Sequence, residues 1–202
     1  MTMPEELEDF IRDQWNILVD LHICIENLKR LYETKYEFED QFKTHGFFGH
    51  HVYQLAFIAV VQLSKLLNNS SNEKRSFTKL CNKLENSCFG EDLRDSTKPV
   101  REFVKEKIQE NEDAISRIIT ARNKVFAHKD PNSGVVIPNL AEIEDMVNLS
   151  AELFKSLCGH LSSMEYCFEV KDGWGIDYVM LHMSRSFEYD QEELKRKLDE
   201  LT

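Results

Sequence analysis

The sequence predicts an all-α protein: an antiparallel bundle of long helices with a short helical extension at its carboxyl end. Apolar residues recur at steps of three and four along most of the 202 residues, which is the spacing of one helix face. The 7 Gly and 4 Pro are too few for a loop-rich or all-β fold. Hydrophobic residues make up 42% of the chain, so it can bury a substantial core.

The first predicted helix begins near Pro4, a residue that favours the first helical turn, and runs to about Phe42. Its stripe, apolar except for one glutamine, consists of Leu7, Ile11, Gln14, Leu18, Leu21, Ile25, Leu28 and Tyr32. These positions alternate steps of four and three, which is a heptad pattern. Such a stripe indicates a helix packed in a bundle, and it also fits a dimer interface.

A break at residues 44–49, with two glycines, precedes a second helix predicted over about 50–68. This helix is apolar on nearly every side, as expected at the centre of a bundle. His45, His50 and His51 lie around its start. They have neither a helical i, i+4 pair nor a nearby cysteine, so we interpret them as exposed or capping residues and predict no metal site.

Polar turns divide the middle of the chain into shorter helices. Ser76 is placed to cap a helix over about 77–87. Residues 88–97 are predicted to form a loop. Pro99 then begins a helix that reaches about Gln109.

The next helix is predicted over residues 112–130, after a break or N-cap at Asn111. It should end near His128 to Asp130, because Pro131 disfavours the helical conformation in the residue before it.

The carboxyl-terminal part begins with a pattern that resembles a capping box, Asn139 followed by Glu142, before a helix over about 140–167. A tight turn at 171–175 leads to a short helix over about 176–186. Asp190 and Glu193 form another capping pattern for a last helix. We therefore predict a bundle over residues 1–168 and a helical extension over 169–202 that packs on it.

The distribution of charge bears on whether the protein could bind nucleic acid. The net charge is −11, which disfavours nucleic-acid binding, but the acidity is uneven. Residues 1–40 carry 11 acidic and 4 basic side chains, whereas residues 74–108 carry 9 basic and 6 acidic ones. The middle could present a positive groove, or these charges could simply be solvated helix faces.

Five cysteines, an odd number without a CxxC pair, favour a reduced cytoplasmic protein without a zinc cluster. No run approaches the ~18 apolar residues of a membrane helix. The acidic amino terminus is unlike a signal peptide. We therefore expect a cytoplasmic protein with no membrane partner.

One segment, residues 121–130, carries candidate chemistry. Arg122 and His128 are six positions apart, and six residues of an ideal helix turn about 600°, so the two side chains do not share one face. Either His128 lies in a frayed last turn, or the pair meets another surface, which a two-fold partner would supply. A helix end near residue 128 would also favour protonation of His128. The alternative is an ordinary solvated helix end.

The motif Arg-Asn-x-x-x-Ala-His, formed by Arg122, Asn123, Ala127 and His128, resembles the Arg-x(4–6)-His signature of the HEPN superfamily. The order of the helices resembles the abortive-infection AbiU-like branch over about residues 1–165. In that branch the second helix often carries Arg-Leu where this chain has Lys65-Leu66. The resemblance implies a HEPN-type bundle that dimerises, with two motifs lining a cleft between the copies.

The resemblance further implies cleavage of RNA without metal or other cofactor, by a toxin or an antiviral effector. His128 would then act as general base or acid, and Arg122 would hold the phosphate. Asn123 would orient the phosphate or His128. Lys124 and Lys129 would contact the RNA backbone, although both could equally be solvated surface residues.

The expected partners are RNA, a second copy of the chain and, in a toxin, an antitoxin or regulatory protein. An interpretation from another class also fits the sequence: a noncatalytic helical module for dimerisation or interaction, with a HEPN fold. The net charge of −11 and the long stripe of the first helix favour this alternative.

Overall fold

The computed structural model describes residues 3–70, 72–126, 137–161, 166, 168 and 173–200. Helices and turns make up these residues and no β-strand occurs among them, so the prediction of an all-α fold is confirmed. In chain order the helices are α1 (Glu5–Tyr32), α2 (Glu39–Lys43), α3 (Gly46–Leu67), α4 (Phe77–Glu85), α5 (Glu91–Ser96), α6 (Lys98–Glu110), α7 (Glu112–Thr120), α8 (Leu140–Leu161) and α9 (Asp177–Asp199). A π-helical turn, Ala121–Phe126, continues α7.

The core forms where α1, α3 and α8 pack against one another, with α7 against α3. The stripe predicted on α1 is buried at every position except Tyr32, whose side chain is 65% exposed. Gln14 is fully buried within this stripe, where its Nε2 donates to the backbone oxygen of Arg75 at 2.8 Å. The stripe is therefore a core face of the bundle along most of its length.

The predicted caps at Ser76 and Asn139 are confirmed, and His45, interpreted as either exposed or capping, is a cap of α3, which begins at Gly46 rather than near residue 50. Ser76 accepts a hydrogen bond from the backbone N–H of Lys79 at 3.2 Å. Asn139 and Glu142 form the reciprocal bonds of a capping box, both at 3.0 Å. His45 caps α3, because its Nδ1 accepts from the backbone N–H of Phe47 at 3.4 Å.

The prediction that the first helix reaches about Phe42 is wrong. Helix α1 ends at Tyr32, and Glu33 is extended. Phe38 adopts a left-handed conformation with φ 65°, just before the short α2. The chain turns here because Glu39 folds back onto Arg30 of α1, a contact that the local sequence pattern does not reveal.

Residues 88–97, predicted as a loop, contain the short helix α5. Gly90, at φ 107°, stands just before it. No residue of α5 is buried, so the sequence has no apolar stripe there that could have predicted a helix.

The two helices predicted at the carboxyl end are one continuous helix, α9, of 23 residues. Asp190 and Glu193 lie inside it, so the capping pattern predicted there is wrong; neither Gly nor Pro interrupts the segment. Helix α9 is attached to α1 through Asn27, whose Oδ1 accepts from the backbone N–H of Ile176 at 2.7 Å. The division of the chain at residue 168 stays a prediction. None of the described helices is long and apolar enough to cross a membrane.

Candidate functional site

The first half of the predicted motif lies on a π-helical turn rather than on an α-helix. Helix α7 ends at Thr120, and the backbone N–H of Ala121 lies within bonding distance of both Arg117 O and Ile118 O. From there the chain follows the wider π-helical pattern to Phe126, which corrects the prediction of a helix of regular α geometry over 112–130. Such turns are rare and occur frequently at functional sites.

The π-helical turn is anchored on one side and open on the other. It packs against α3, and Ala121 is fully buried at its start. Arg122 and Asn123 are half-buried, Lys124 is exposed, and Val125 packs at the edge of the core. The polar part of the motif therefore reaches the surface from a well-packed base.

The side chain of Asn123 holds that of Arg122. Nη1 of Arg122 donates to Oδ1 of Asn123 at 2.8 Å. No acidic side chain in the described part of the chain forms an ion pair with Arg122, whereas Nε of Arg117 on α7 lies 3.4 Å from Glu142. Among the described residues, Arg122 is thus oriented by a neutral amide rather than by a carboxylate, and a guanidinium is a group that binds anions.

The other predicted site residues are only partly covered by the structure. Lys124 is exposed and pairs with no acidic group among the described residues, which suits contact with a phosphate backbone. His128 and Lys129 lie outside the described residues. The predicted meeting of Arg122 with His128, within one copy or across a dimer, therefore stays a prediction.

A cleft of about 260 Å³ lies beside the site, between the end of α3, α6 and α7. It is lined by Leu67, Asn69, Ile108, Gln109, Glu112, Ile115, Ser116, Ile119 and Thr120. This lining contains one acidic and no basic side chain, so it does not suit a phosphate. The cleft stops just before the π-helical turn and does not include Arg122.

The histidines around the start of α3 form no metal site in the described structure. His45 caps the helix, His50 is exposed, and the ring of His51 stacks on that of Phe47 with centroids 6.0 Å apart. No group of three or more His, Cys, Asp or Glu side chains among the described residues is arranged to hold a metal ion.

Sequence reasoning missed a cluster of charged residues that joins α1, α2 and α9, which we call the Arg30 cluster. Arg30 pairs with Glu39, whose side chain is fully buried, and with Asp177 at the start of α9. Lys43 also lies 2.7 Å from Glu39. Lys35 Nζ and Tyr36 Oη each donate to Asp177 at 2.9 Å.

The two carboxylates of the Arg30 cluster are held in their ionised forms. Burial alone would raise the pKa of Glu39, but hydrogen bonds from Arg30 and Lys43 outweigh it and lower the pKa to about 2. Hydrogen bonds from Arg30, Lys35 and Tyr36 lower the pKa of Asp177 to about 2. Both acids have cationic partners, so the cluster is suited to joining helices rather than to proton transfer.

Comparison with known proteins identifies the family to which the chain belongs. A family model for the HEPN family AbiU2 matches residues 4–175, which is most of the 202 residues and includes the whole motif. No curated protein and no solved structure matches the chain. The match ends two residues before α9 begins. The chain therefore belongs to the HEPN family AbiU2, a family of HEPN-type domains linked to abortive infection.

Proposed function

We propose that this protein is a metal-independent endoribonuclease of the HEPN type that acts as a defence or toxin effector. Membership of AbiU2 supports the link to abortive infection. The observation that carries the proposal is Arg122: a half-buried arginine on a π-helical turn, oriented by Asn123 and unpaired with any described acid. It begins the Arg-Asn-x-x-x-Ala-His motif, and its charge is available to a phosphate.

The proposed reaction uses the nucleophile that RNA itself carries. A base removes the proton of a 2′-OH, and the oxygen attacks the adjacent phosphorus. The bond from phosphorus to the 5′-oxygen breaks, and an acid gives that oxygen a proton. The products are a 2′,3′-cyclic phosphate and a 5′-OH, so neither water nor a metal-bound hydroxide is consumed in this step.

The residues of the motif suit these roles. His128 is the proposed proton carrier, because the reference pKa of histidine, about 6.5, allows it to act as base or acid at neutral pH. Arg122 would bind the phosphate and stabilise the charge that builds up on it. Asn123 would fix the direction of the guanidinium, while Lys124 and Lys129 would contact neighbouring phosphates.

A second copy of the chain is part of the proposal. The reaction needs one group that takes a proton and one that gives it, and each motif contains a single histidine. A two-fold dimer with facing motifs would supply both groups. A toxin of this kind also requires control in its host cell, which an antitoxin or regulatory protein would provide.

The alternative function is a noncatalytic helical interaction module. The net charge of −11 favours it, because phosphate contacts require basic surface. Such a module would bind a protein or RNA without turnover, and substitution of Arg122 would alter binding or dimerisation only. Turnover of RNA separates the two proposals.

The experiment compares a labelled RNA with the same sequence carrying 2′-O-methyl groups throughout. We expect the parent protein to cleave only the RNA and to leave 2′,3′-cyclic phosphate ends. His128→Ala should abolish cleavage, with His160→Ala, an exposed histidine on α8, as the matched control. Cleavage of the methylated strand would refute attack by the 2′-OH. Full cleavage by His128→Ala would show that His128 of the motif does not take part in the reaction.

A further inference from the structure

The last part of α9 extends beyond the bundle. Met180 and Ser184 are buried, and Ser184 Oγ donates to the backbone oxygen of Glu37. From residue 185 to 200 every side chain is exposed except those of Phe187 and Glu193, which are half-buried. We call residues 187–198 the α9 arm. It lies wholly outside the part of the chain that the AbiU2 family model matches.

A heptad stripe, apolar except for Ser184 and Gln191, runs from the bundle into the α9 arm. Its positions are Met180, Ser184, Phe187, Gln191, Leu194 and Leu198, at alternating steps of four and three. The first part of this stripe packs α9 on the bundle, where the ring of Phe187 lies 5.5 Å from that of Phe38. Farther along, the side chains of Leu194 and Leu198 are 53% and 56% exposed. A heptad stripe is the pattern of a helix that pairs with another helix.

Charged residues flank this stripe in a self-complementary order. At about 100° per residue, Glu188 and Lys195 lie along one edge of the stripe, and Asp190 and Lys197 lie along the other. Each edge thus has an acid first and a base seven residues later. Glu188, Asp190 and Lys195 form no ion pair with any residue that the structure describes, so these charges are available to a partner.

We propose that the α9 arm pairs with the α9 arm of a second copy of the chain, antiparallel and about a two-fold axis. An antiparallel pair brings Phe187 opposite Leu198 of the second copy, and Gln191 opposite Leu194 of the second copy. The same register places Glu188 opposite Lys195 and Asp190 opposite Lys197. One alignment therefore packs Phe187 on Leu198, covers Gln191 with Leu194 and pairs the charges of both edges, and the two-fold axis repeats each contact.

A parallel pair of arms would form fewer favourable contacts than the antiparallel pair. It would place the two Gln191 side chains against each other in the middle of the interface. The only pair of opposite charges that it would form is Asp190 with Lys195 of the second copy. Glu188 would face Met183 of the second copy instead of a base. The charge order therefore selects the antiparallel arrangement.

The proposed pairing does not depend on nuclease activity, because it uses none of the motif residues. Its test is a concentration series of the full-length protein by sedimentation equilibrium. We expect the parent chain to dimerise. Glu188→Lys and Lys195→Glu should each weaken the dimer by about tenfold or more, since each places like charges opposite one another twice. The double variant Glu188→Lys/Lys195→Glu restores opposite charges and should return the affinity to that of the parent.

Glu192→Lys is the matched control, because it makes the same charge change on the outer side of the helix and should leave the affinity unchanged. A monomeric parent protein would overturn the proposal. An unaffected Glu188→Lys variant would overturn it too, as would failure of the double variant to recover. RNA cleavage is measured separately, so loss of this interface and loss of the proposed activity remain distinguishable.

Discussion

At the scale of single residues, the proposed chemistry depends on how Arg122 is held. A carboxylate partner would orient the guanidinium but would also neutralise it. Asn123 orients it through a neutral amide, at 2.8 Å, and the packed Ala121 fixes the start of the π-helical turn. An arginine placed in this way is oriented before a phosphate arrives, so less ordering remains to be done on binding.

Replacing Arg122 with Lys tests this role. The planar guanidinium would be lost while the positive charge remains, so turnover of RNA should fall by about 100-fold or more. Because the replaced hydrogen bond joins a charged guanidinium to a neutral amide and is only half-buried, the free energy of unfolding should change by no more than about 2 kcal/mol. Arg117→Lys is the matched control. If Arg122→Lys turned over RNA as fast as the parent protein, the proposed role of Arg122 in binding the phosphate would be contradicted.

The cysteines give a second prediction at this scale. Cys24, Cys81 and Cys158 are buried free thiols, and burial raises their pKa values to about 11, 11 and 12. Cys88 is exposed. In a Cys167→Ser variant at pH 8, a thiol reagent should therefore label Cys88 at once and the other three only after unfolding. Rapid labelling of more than one thiol would contradict the burial of these side chains.

At the scale of helices, the Arg30 cluster determines where three elements end and meet. Arg30 near the end of α1 bonds Glu39 at the start of α2 and Asp177 at the start of α9. Both carboxylates lie in the first turns of their helices, where the helix dipole favours negative charge. The cluster thus fixes the chain reversal after α1 and the attachment of α9 together.

Glu39→Gln should destabilise the protein more than an exposed carboxylate change does. It would leave Arg30 and Lys43 facing a neutral group in a buried site, a loss of about 3 kcal/mol in the free energy of unfolding. Asp40→Asn, at the exposed neighbouring position, is the matched control and should change it by less than about 1 kcal/mol. The free energy of unfolding is measured by urea denaturation. Equal losses in Glu39→Gln and Asp40→Asn would show that Glu39 stabilises the fold no more than an exposed carboxylate does.

The same helices show what could be predicted from the sequence. Local patterns were sufficient for the stripe of α1 and for the caps at Ser76 and Asn139, because the residues involved lie within a few positions of one another. The bond between Arg30 and Asp177 joins residues 147 positions apart, so no local pattern contains it. The short α5, with no buried side chain, had no periodicity to reveal it.

The candidate site was predictable in part for the same reason. The motif residues lie close together in the sequence and carried the resemblance to the HEPN superfamily, while the order of the helices carried the resemblance to the AbiU-like branch; the family match confirmed this assignment. The π-helical turn was not predicted, because periodicity analysis assumes regular helix geometry. The bond from Arg122 to Asn123 lies within that turn and was not foreseen either.

At the scale of the whole molecule, the Arg30 cluster should determine how the fold responds to acid. The pKa values of Glu39 and Asp177 lie near 2 in the fold, below ordinary values of 4.5 and 3.8. Their stabilising contribution is therefore fully present above about pH 5 and is lost as the pH falls from about 4.5 towards 2. The melting temperature should fall over this interval.

The variant Asp177→Asn checks this dependence on pH. It removes one of the two carboxylates, so its melting temperature should fall less steeply between about pH 4.5 and 2 than that of the parent. Glu192→Gln, at an exposed acid on the outer side of the same helix, should keep the slope of the parent. If the melting temperature of Asp177→Asn fell with pH as steeply as that of the parent, carboxylates other than Asp177 would be responsible for the loss of stability in acid.

The most direct test of the central proposal is cleavage of total cellular RNA by the purified protein in EDTA, beside Arg122→Ala and His128→Ala. Both variants should keep the helical circular dichroism spectrum of the parent. We predict fragments with the parent alone, which would place a metal-independent nuclease on this motif. Equal fragments from the His128→Ala protein, or intact RNA in every lane, would contradict the proposal and favour the interaction module.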